Sequence, residues 1–314
     1  MLKVAIISNW HEKCGNADYA RDLRLELIKE YEFEVVTFTK PEEATGQDVV
    51  VISWHPSRVV LSPQAVHDLH SRGTKVIVTL QNSFAGAYYA SEHDPLLYAD
   101  AVVAHQKMEG GNIEIKTIPV GIHLVDNLPE PNGEVRVGIA GFPYAWKRFD
   151  VTASVAQVLG GRSMLIAPRH DMGDVDTPIT EIYRAFPTAD IERDFLPVDE
   201  VVRRLASCTM NVFWYQHMPP DDLAGQSGSV RMGVAAKRPM IISDHPKLAS
   251  VAAYEDEVYV AAELPRVFEY AKEILSNIKQ GLPVRRPKKL LEDMGWDKTG
   301  KMYVELIKRT CGVS

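Results

Sequence analysis

Lys147 and Arg148 stand side by side at the end of the loop Gly138-Ile139-Ala140-Gly141-Phe142-Pro143-Tyr144-Ala145-Trp146-Lys147-Arg148-Phe149-Asp150. An apolar run at residues 135–140 precedes the loop, and a helical pattern starts near Phe149. A strand ending in glycine and leading into a helix has the geometry of a phosphate loop. The spacing matches neither a Walker A loop nor the dinucleotide G-x-G-x-x-G. Instead, two adjacent cations sit just before a helix, where they can meet a diphosphate near the positive end of the helix dipole. A basic pair beside a surface turn is the plain alternative.

A second loop supplies complementary chemistry. Gly225, Gln226, Ser227, Gly228 and Ser229 lead into a helix and then, past Lys237-Arg238-Pro239, into a strand at 239–243. Small residues let backbone approach a ligand closely, and Ser227 and Ser229 are residue types that cap helix starts. A serine-capped helix with no ligand is the bland reading. Two such loops on one half of the chain favour a shared diphosphate.

The elements that must position these loops follow from hydrophobic patterning. Short apolar runs alternate with amphipathic stretches, the mark of a parallel sheet with crossover helices. Strands are predicted at 4–8, 34–38, 49–53, 75–80, 101–105 and 116–120. A helix with Ala20, Leu23, Leu27 and Tyr31 on its apolar face lies between the first two. Residues 126–133 hold two prolines, two asparagines and a glycine, the best linker in the chain. The pattern then restarts, with strands at 135–140, 163–167, 190–195, 210–215, 239–243 and 257–260. Val151, Val155, Val158 and Leu159 form one side of the first helix of this half, and a last helix spans about 298–308.

Bulk properties narrow the class. The chain has 314 residues, enough for two α/β domains, with 46% hydrophobic and 25% charged residues. A net charge of −7 argues against a nucleic-acid or anionic-membrane partner. The one basic cluster, around Lys279, Arg285, Arg286, Lys288 and Lys289, reads as a solvated turn. No run approaches the length of a membrane span, and residues 2–7 pass into a polar loop without a signal-peptide cleavage region. Three scattered cysteines (Cys14, Cys208, Cys311) suggest neither disulfides nor a zinc site, and the expected compartment is cytoplasmic.

The ordered set of motifs resembles glycosyltransferase family 4 (glycosyl transferases group 1). GIAGFPYAWKRFD resembles the GxxGxxxxxKRxD stretch opening that family's donor domain. SGSVRMGVAAKRPMIISD is similar to its small-residue loop, helix and strand. Cys14-Gly15-Asn16-Ala17 looks like the glycine loop after the first strand, and Ile118-Pro119-Val120-Gly121-Ile122 like the turn before the linker. Gly295-Trp296-Asp297 through Leu306 resembles the family's closing helix. The resemblance implies an α/β GT-B fold, with two Rossmann-like domains facing a central cleft. Residues 1–127 would form the acceptor domain and 134–295 the donor domain, with 296–314 a helix packing back toward the first.

It implies sugar transfer from a UDP- or GDP-sugar to an acceptor hydroxyl, with retention and with no required metal or other cofactor. The acceptor would be a glycan, a lipid-linked sugar or a small molecule. Lys147 and Arg148 would hold the diphosphate with Gly141 and the stretch Gly225, Gln226, Ser227, Gly228 and Ser229. Gly15 and Asn16 would close on the phosphates, while Leu196 and Tyr215 mark loops where base and ribose contacts lie. The family's loop histidine is replaced by Gln81, and His55 is the alternative contact to sugar or acceptor. The usual pair of glutamates eight apart falls on Ala224 and Met232. That departure leaves a non-catalytic nucleotide-sugar-binding protein and a GT-B epimerase as alternatives. Asp174-Val175-Asp176 resembles a metal-binding DxD but lies in a loop for which this chemistry has no need.

Overall fold

The computed structural model describes residues 1–55, 58–81, 94–108, 111–170, 174–217 and 227–313. They form two compact units: residues 1–121 with 294–313, and 122–217 with 227–293.

The first unit contains β1 (Leu2–Ile7), α1 (Gly15–Leu27), β2 (Phe33–Phe38), β3 (Val49–Trp54), α2 (Pro63–Ser71), β4 (Lys75–Leu80), β5 (Ala101–Ala104) and β6 (Ile115–Thr117). Its strands form one sheet in the order β2-β1-β3-β4-β5-β6, every pairing parallel. β3 reads Val-Val-Val-Ile-Ser-Trp and is buried throughout, as a strand covered on both faces must be. The helical face expected on α1 holds for Ala20, Leu23 and Leu27, all fully buried. Tyr31 falls beyond the helix, in the turn before β2, and is 84% exposed.

The second unit contains β7 (Arg136–Ala140), α3 (Phe149–Val158), β8 (Arg162–Ile166), α4 (Thr177–Ala185), β9 (Asp190–Glu192), α5 (Val198–Ala206), β10 (Met210–Phe213), α6 (Gly228–Ala235), β11 (Met240–Ile242), α7 (Ala249–Ala252), β12 (Tyr259–Val260), α8 (Leu264–Lys279) and α9 (Lys288–Asp293). Its sheet, also parallel, runs β12-β11-β10-β7-β8-β9. On α3, Val151 and Val155 are core residues, whereas Val158, at the edge of the apolar stripe, is half-exposed. The proline-rich segment before β7 lies along this unit. Arg238 donates to the Pro129 carbonyl at 2.6 Å and to Glu130 at 2.7 Å, and Arg203 donates to the carbonyls of Asp126 and Asn127.

The last helix, α10 (Trp296–Thr310), is built into the first unit. Trp296, Tyr303, Leu306 and Ile307 share a core with Val4, Ile6, Tyr19, Leu23 and Leu27. The Tyr19 hydroxyl donates to that of Tyr303 at 2.6 Å, and Thr79 Oγ1 lies 2.8 Å from the same oxygen. Gly121 is small for a reason: a Cβ there would sit 2.2 Å from the Trp296 ring. Among the described residues no helix is long and apolar enough to cross a membrane.

Candidate anion-binding site of the second unit

In the second sheet the chain runs outward from β7 to β8 and β9, then returns to place β10 on the other side of β7. Ligands of open parallel sheets sit at the carboxyl ends of strands, where the order reverses in this way. The loop after β7 carries Gly141 and Lys147, and the loop after β10 carries Trp214 and Tyr215. Both loops therefore start at that point.

Gly141 leaves β7 with a φ of 124°, a conformation side chains rarely adopt. Its amide still donates to the Ile166 carbonyl of the neighbouring strand at 2.9 Å. A Cβ on Gly141 would lie 2.0 Å from Ser229 Oγ and 3.2 Å from Lys147 Nζ, so this glycine is what lets the two loops meet. The chain then makes a short 3-10 turn (Ala145–Lys147), which buries Lys147 to 7% exposure. Gln216 of the β10 loop donates its amide to the Trp146 carbonyl at 2.7 Å, fixing the two loops together.

Lys147 Nζ lies 3.3 Å from Ser229 Oγ and within 6 Å of the ring centroids of Tyr144, Trp146 and Tyr215. Among the described residues no carboxylate pairs with it. Burial first, and then the charge of Lys247, pull its pKa down to about 7. Ser229 belongs to the first turn of α6, whose leading N–H groups have no partner within the helix. An ammonium thus lies beside the positive end of a helix, an arrangement that opposes itself until an anion arrives.

Ser227 occupies the N-cap position of α6, but its side chain does not cap the helix. Its Oγ instead lies 2.9 Å from the Tyr215 hydroxyl. Tyr215 is fully buried, and that burial pushes its pKa up to about 12, so it stays a neutral hydrogen-bonding group at physiological pH. Gly228 is exposed, and a Cβ there would meet no atom within 4 Å. Gly225 and Gln226 lie outside the described residues, as does Ala224.

Arg148 is placed differently from its neighbour. It adopts the left-handed conformation (φ 47°) and begins α3. Its guanidinium donates to Asp150 from Nε at 2.9 Å and Nη2 at 2.8 Å, and to Gln216 Oε1 at 3.0 Å. The side chain ties the turn together while Lys147 faces the cradle.

Neither family models nor curated proteins give a match to this chain. Solved structures do. AviGT4, a glycosyltransferase involved in avilamycin A biosynthesis, aligns over 99% of this chain and 98% of its own at TM-score 0.69 and 15% identity. Sucrose-phosphate synthase from Thermosynechococcus elongatus aligns over the full length of both chains at TM-score 0.72 and 12% identity. Anabaena HepE in complex with UDP-glucose covers 98% of this chain and 100% of its own at TM-score 0.69 and 10% identity. The chain has the GT-B fold.

The remaining residues singled out by sequence have definite places in this GT-B chain. Gly15 opens α1 and Asn16 follows it, half-buried, after the loop that leaves β1. β1 is also a reversal point, between β2 and β3. His55 follows β3, and its carbonyl accepts the amides of Arg58 and Val59. Gln81 follows β4, with its amide on the Trp54 carbonyl at 2.9 Å and its Nε2 buried without a hydrogen-bond partner among the described residues. Leu196 is half-buried before α5, next to Phe195, whose ring lies 6.2 Å from that of Phe142. Asp174 accepts the amides of Asp176 and Thr177, while Asp176 pairs with Arg193.

Tyr144 and Trp146 stand inside the quoted loop, yet type and spacing alone do not mark them as a cage for a lysine. His245 and Lys247, after β11, carry no motif at all. What places them is their position at the carboxyl end of the strand beside β10, which only sheet order reveals.

Proposed function

We propose that this GT-B protein is a nucleotide-sugar-dependent glycosyltransferase, with the donor diphosphate held by the second unit. The observation that carries this reading is Lys147: a buried ammonium with no carboxylate among the described residues, set beside the N-terminus of α6 and the hydroxyls of Ser227, Ser229 and Tyr215. Such a set fits the two linked anions of a nucleoside diphosphate. In transfer, the leaving diphosphate gains negative charge, and fixed donors that meet it there lower the barrier. Lys147 serves as the direct cation, and Arg148 shapes the turn that presents it. Leu196 and Tyr215 mark the loops that receive the nucleoside.

HepE binds UDP-glucose and UDP, and an α-glucosyltransferase of the same fold was captured with UDP and DNA, which favours UDP as the nucleotide here. Retention and independence from metal complete the reading. Acceptor recognition belongs to the first unit, with His55 and Gln81 as its polar contacts and Gly15 and Asn16 as backbone contacts to phosphate. A glycan, lipid-linked sugar or small molecule is the expected acceptor class. A second reading, nucleotide-sugar binding without transfer, is favoured by Met232 and Ala224 at the positions of the resembled family's glutamates.

A melting panel with UDP-, GDP-, ADP- and TDP-sugars tests the binding step, because a ligand of the native state alone raises Tm. A UDP-sugar should give the largest rise, and a flat panel overturns the assignment. Turnover with the best donor then separates transferase from binding protein. EDTA should leave that turnover unchanged; loss restored by manganese would replace the metal-independent mechanism.

Arg148→Gly should keep UDP affinity within about threefold. Glycine adopts the left-handed turn without the cost of about 1–2 kcal/mol other residues bear, and the part-exposed pair with Asp150 contributes about 1 kcal/mol or less. A tenfold loss by titration calorimetry would make Arg148 a direct phosphate contact.

A further inference from the structure

Lys147 is not the only cation at this cradle. β11 ends in Ser243-Asp244-His245-Pro246-Lys247, and a short 3-10 turn at Pro246–Leu248 brings the Lys247 ammonium to 5.8 Å from the centroid of the Trp146 ring. Lys147 Nζ lies 5.3 Å from the same centroid. Two ammonium groups therefore share one indole. Like charges repel each other, and Lys247 is the charge that lowers the pKa of Lys147 beyond the effect of burial.

The segment that carries Lys247 is fixed. His245 is 3% exposed, stacks on Trp146 at 5.7 Å with an interplanar angle of 22°, and accepts the Lys247 amide on Nδ1 at 3.1 Å. The Lys247 carbonyl accepts the Ser227 amide at 3.2 Å, which joins the turn directly to the start of α6. Arg148 is held by Asp150 and Gln216, so the second positive charge expected beside Lys147 is not delivered by its sequence neighbour.

We propose that Lys247 is the second diphosphate-binding cation of this site, acting with Lys147 beside Trp146 and supplying the charge that Arg148 spends on its own turn. The inference rests on the reading of this cradle as a nucleoside-diphosphate site. A diphosphate carries two separated anionic groups, so one ammonium for each relieves the repulsion between the lysines and is matched by it. Trp146 offers its ring to both cations.

The test is calorimetric titration of the full chain with UDP at low and high salt, in wild type, Lys247→Met, Lys247→Gln and Lys247→Arg, each checked by thermal melting. Loss of a charge-assisted contact should weaken UDP binding by at least about tenfold in both neutral variants. Their affinity should also fall less steeply with salt than that of wild type. Lys247→Arg should stay within about threefold. Unchanged UDP affinity in the neutral variants overturns the proposal and leaves the diphosphate site standing. A loss with unaltered salt dependence and no rescue by arginine overturns it too, since packing alone would then explain the effect. Wild type that binds no UDP removes the underlying reading and this inference together.

Discussion

Lys147→Met should abolish measurable binding of UDP while raising the melting temperature of the free protein. The two effects have one origin. A charged lysine 7% exposed, among aromatic rings and at a helix N-terminus, destabilises the empty fold, and methionine fills a similar volume without the charge. With ligand present the same ammonium makes charge-assisted hydrogen bonds worth about 1.5–3 kcal/mol each, so losing them should cost about a hundredfold or more in affinity.

The pH dependence carries a definite sign. Folding lowers the Lys147 pKa from the ordinary lysine range to about 7, so between these values the unfolded chain binds more protons. Wild-type stability relative to Lys147→Met should therefore rise with pH above about 7, and the full deficit should be felt below it. Anion binding restores the charge and so takes up a proton above that pH. Wild-type affinity should fall by up to about tenfold per pH unit above 7. Melting curves and calorimetry at pH 6 to 9 check all three. UDP affinity equal to wild type in Lys147→Met would remove this lysine from the site.

Gly141→Ala should cost at least about thirtyfold in UDP affinity and several degrees of Tm. At φ 124° a side chain brings backbone strain of about 1–3 kcal/mol. Here it also brings a collision: the new Cβ would lie 2.0 Å from Ser229 Oγ and 2.9 Å from Ser229 Cβ. Rotating the hydroxyl away does not clear the second contact, so the loop and α6 must separate. Gly160→Ala is the matched control. Gly160 also has positive φ (69°), but a Cβ there would meet nothing within 4 Å. It should lower Tm through backbone strain while leaving UDP affinity intact. Equal affinity losses in the two variants would show that general destabilisation, and not closure of the cradle, governs binding.

The fold was legible because buried parallel strands are written as short apolar runs. Each of the twelve strands among the described residues overlaps one of the runs read from sequence, with boundaries displaced by a few residues at β6, β9 and β12. The place of Lys147, at the end of the loop after β7, was also legible, since a glycine after a strand and a cation before a helix are local features. Adjacency in sequence did not separate Lys147 from Arg148. The left-handed turn at Arg148 sends consecutive side chains to different partners, and Asp150 captures the second. Ser227 shows the same limit: it holds the N-cap position its residue type suggested, but a buried tyrosine from another loop competes for its hydroxyl and wins. Contacts of that kind depend on which strands are neighbours, and β10 comes to lie beside β7 only after two strands have been laid on the other side.

The placement of α10 bears on the order in which the chain can fold. Tyr303 meets Tyr19 across 284 residues of sequence, so the first unit lacks part of its core until the last helix has left the ribosome. Until then Leu23, Leu27 and Val4, which share that core with α10, lack part of their cover. The sheet of the second unit comes from one stretch of chain and meets no such delay. Synthesis thus favours completing the second unit before the first, with closure of a loop spanning 284 residues as a slow step.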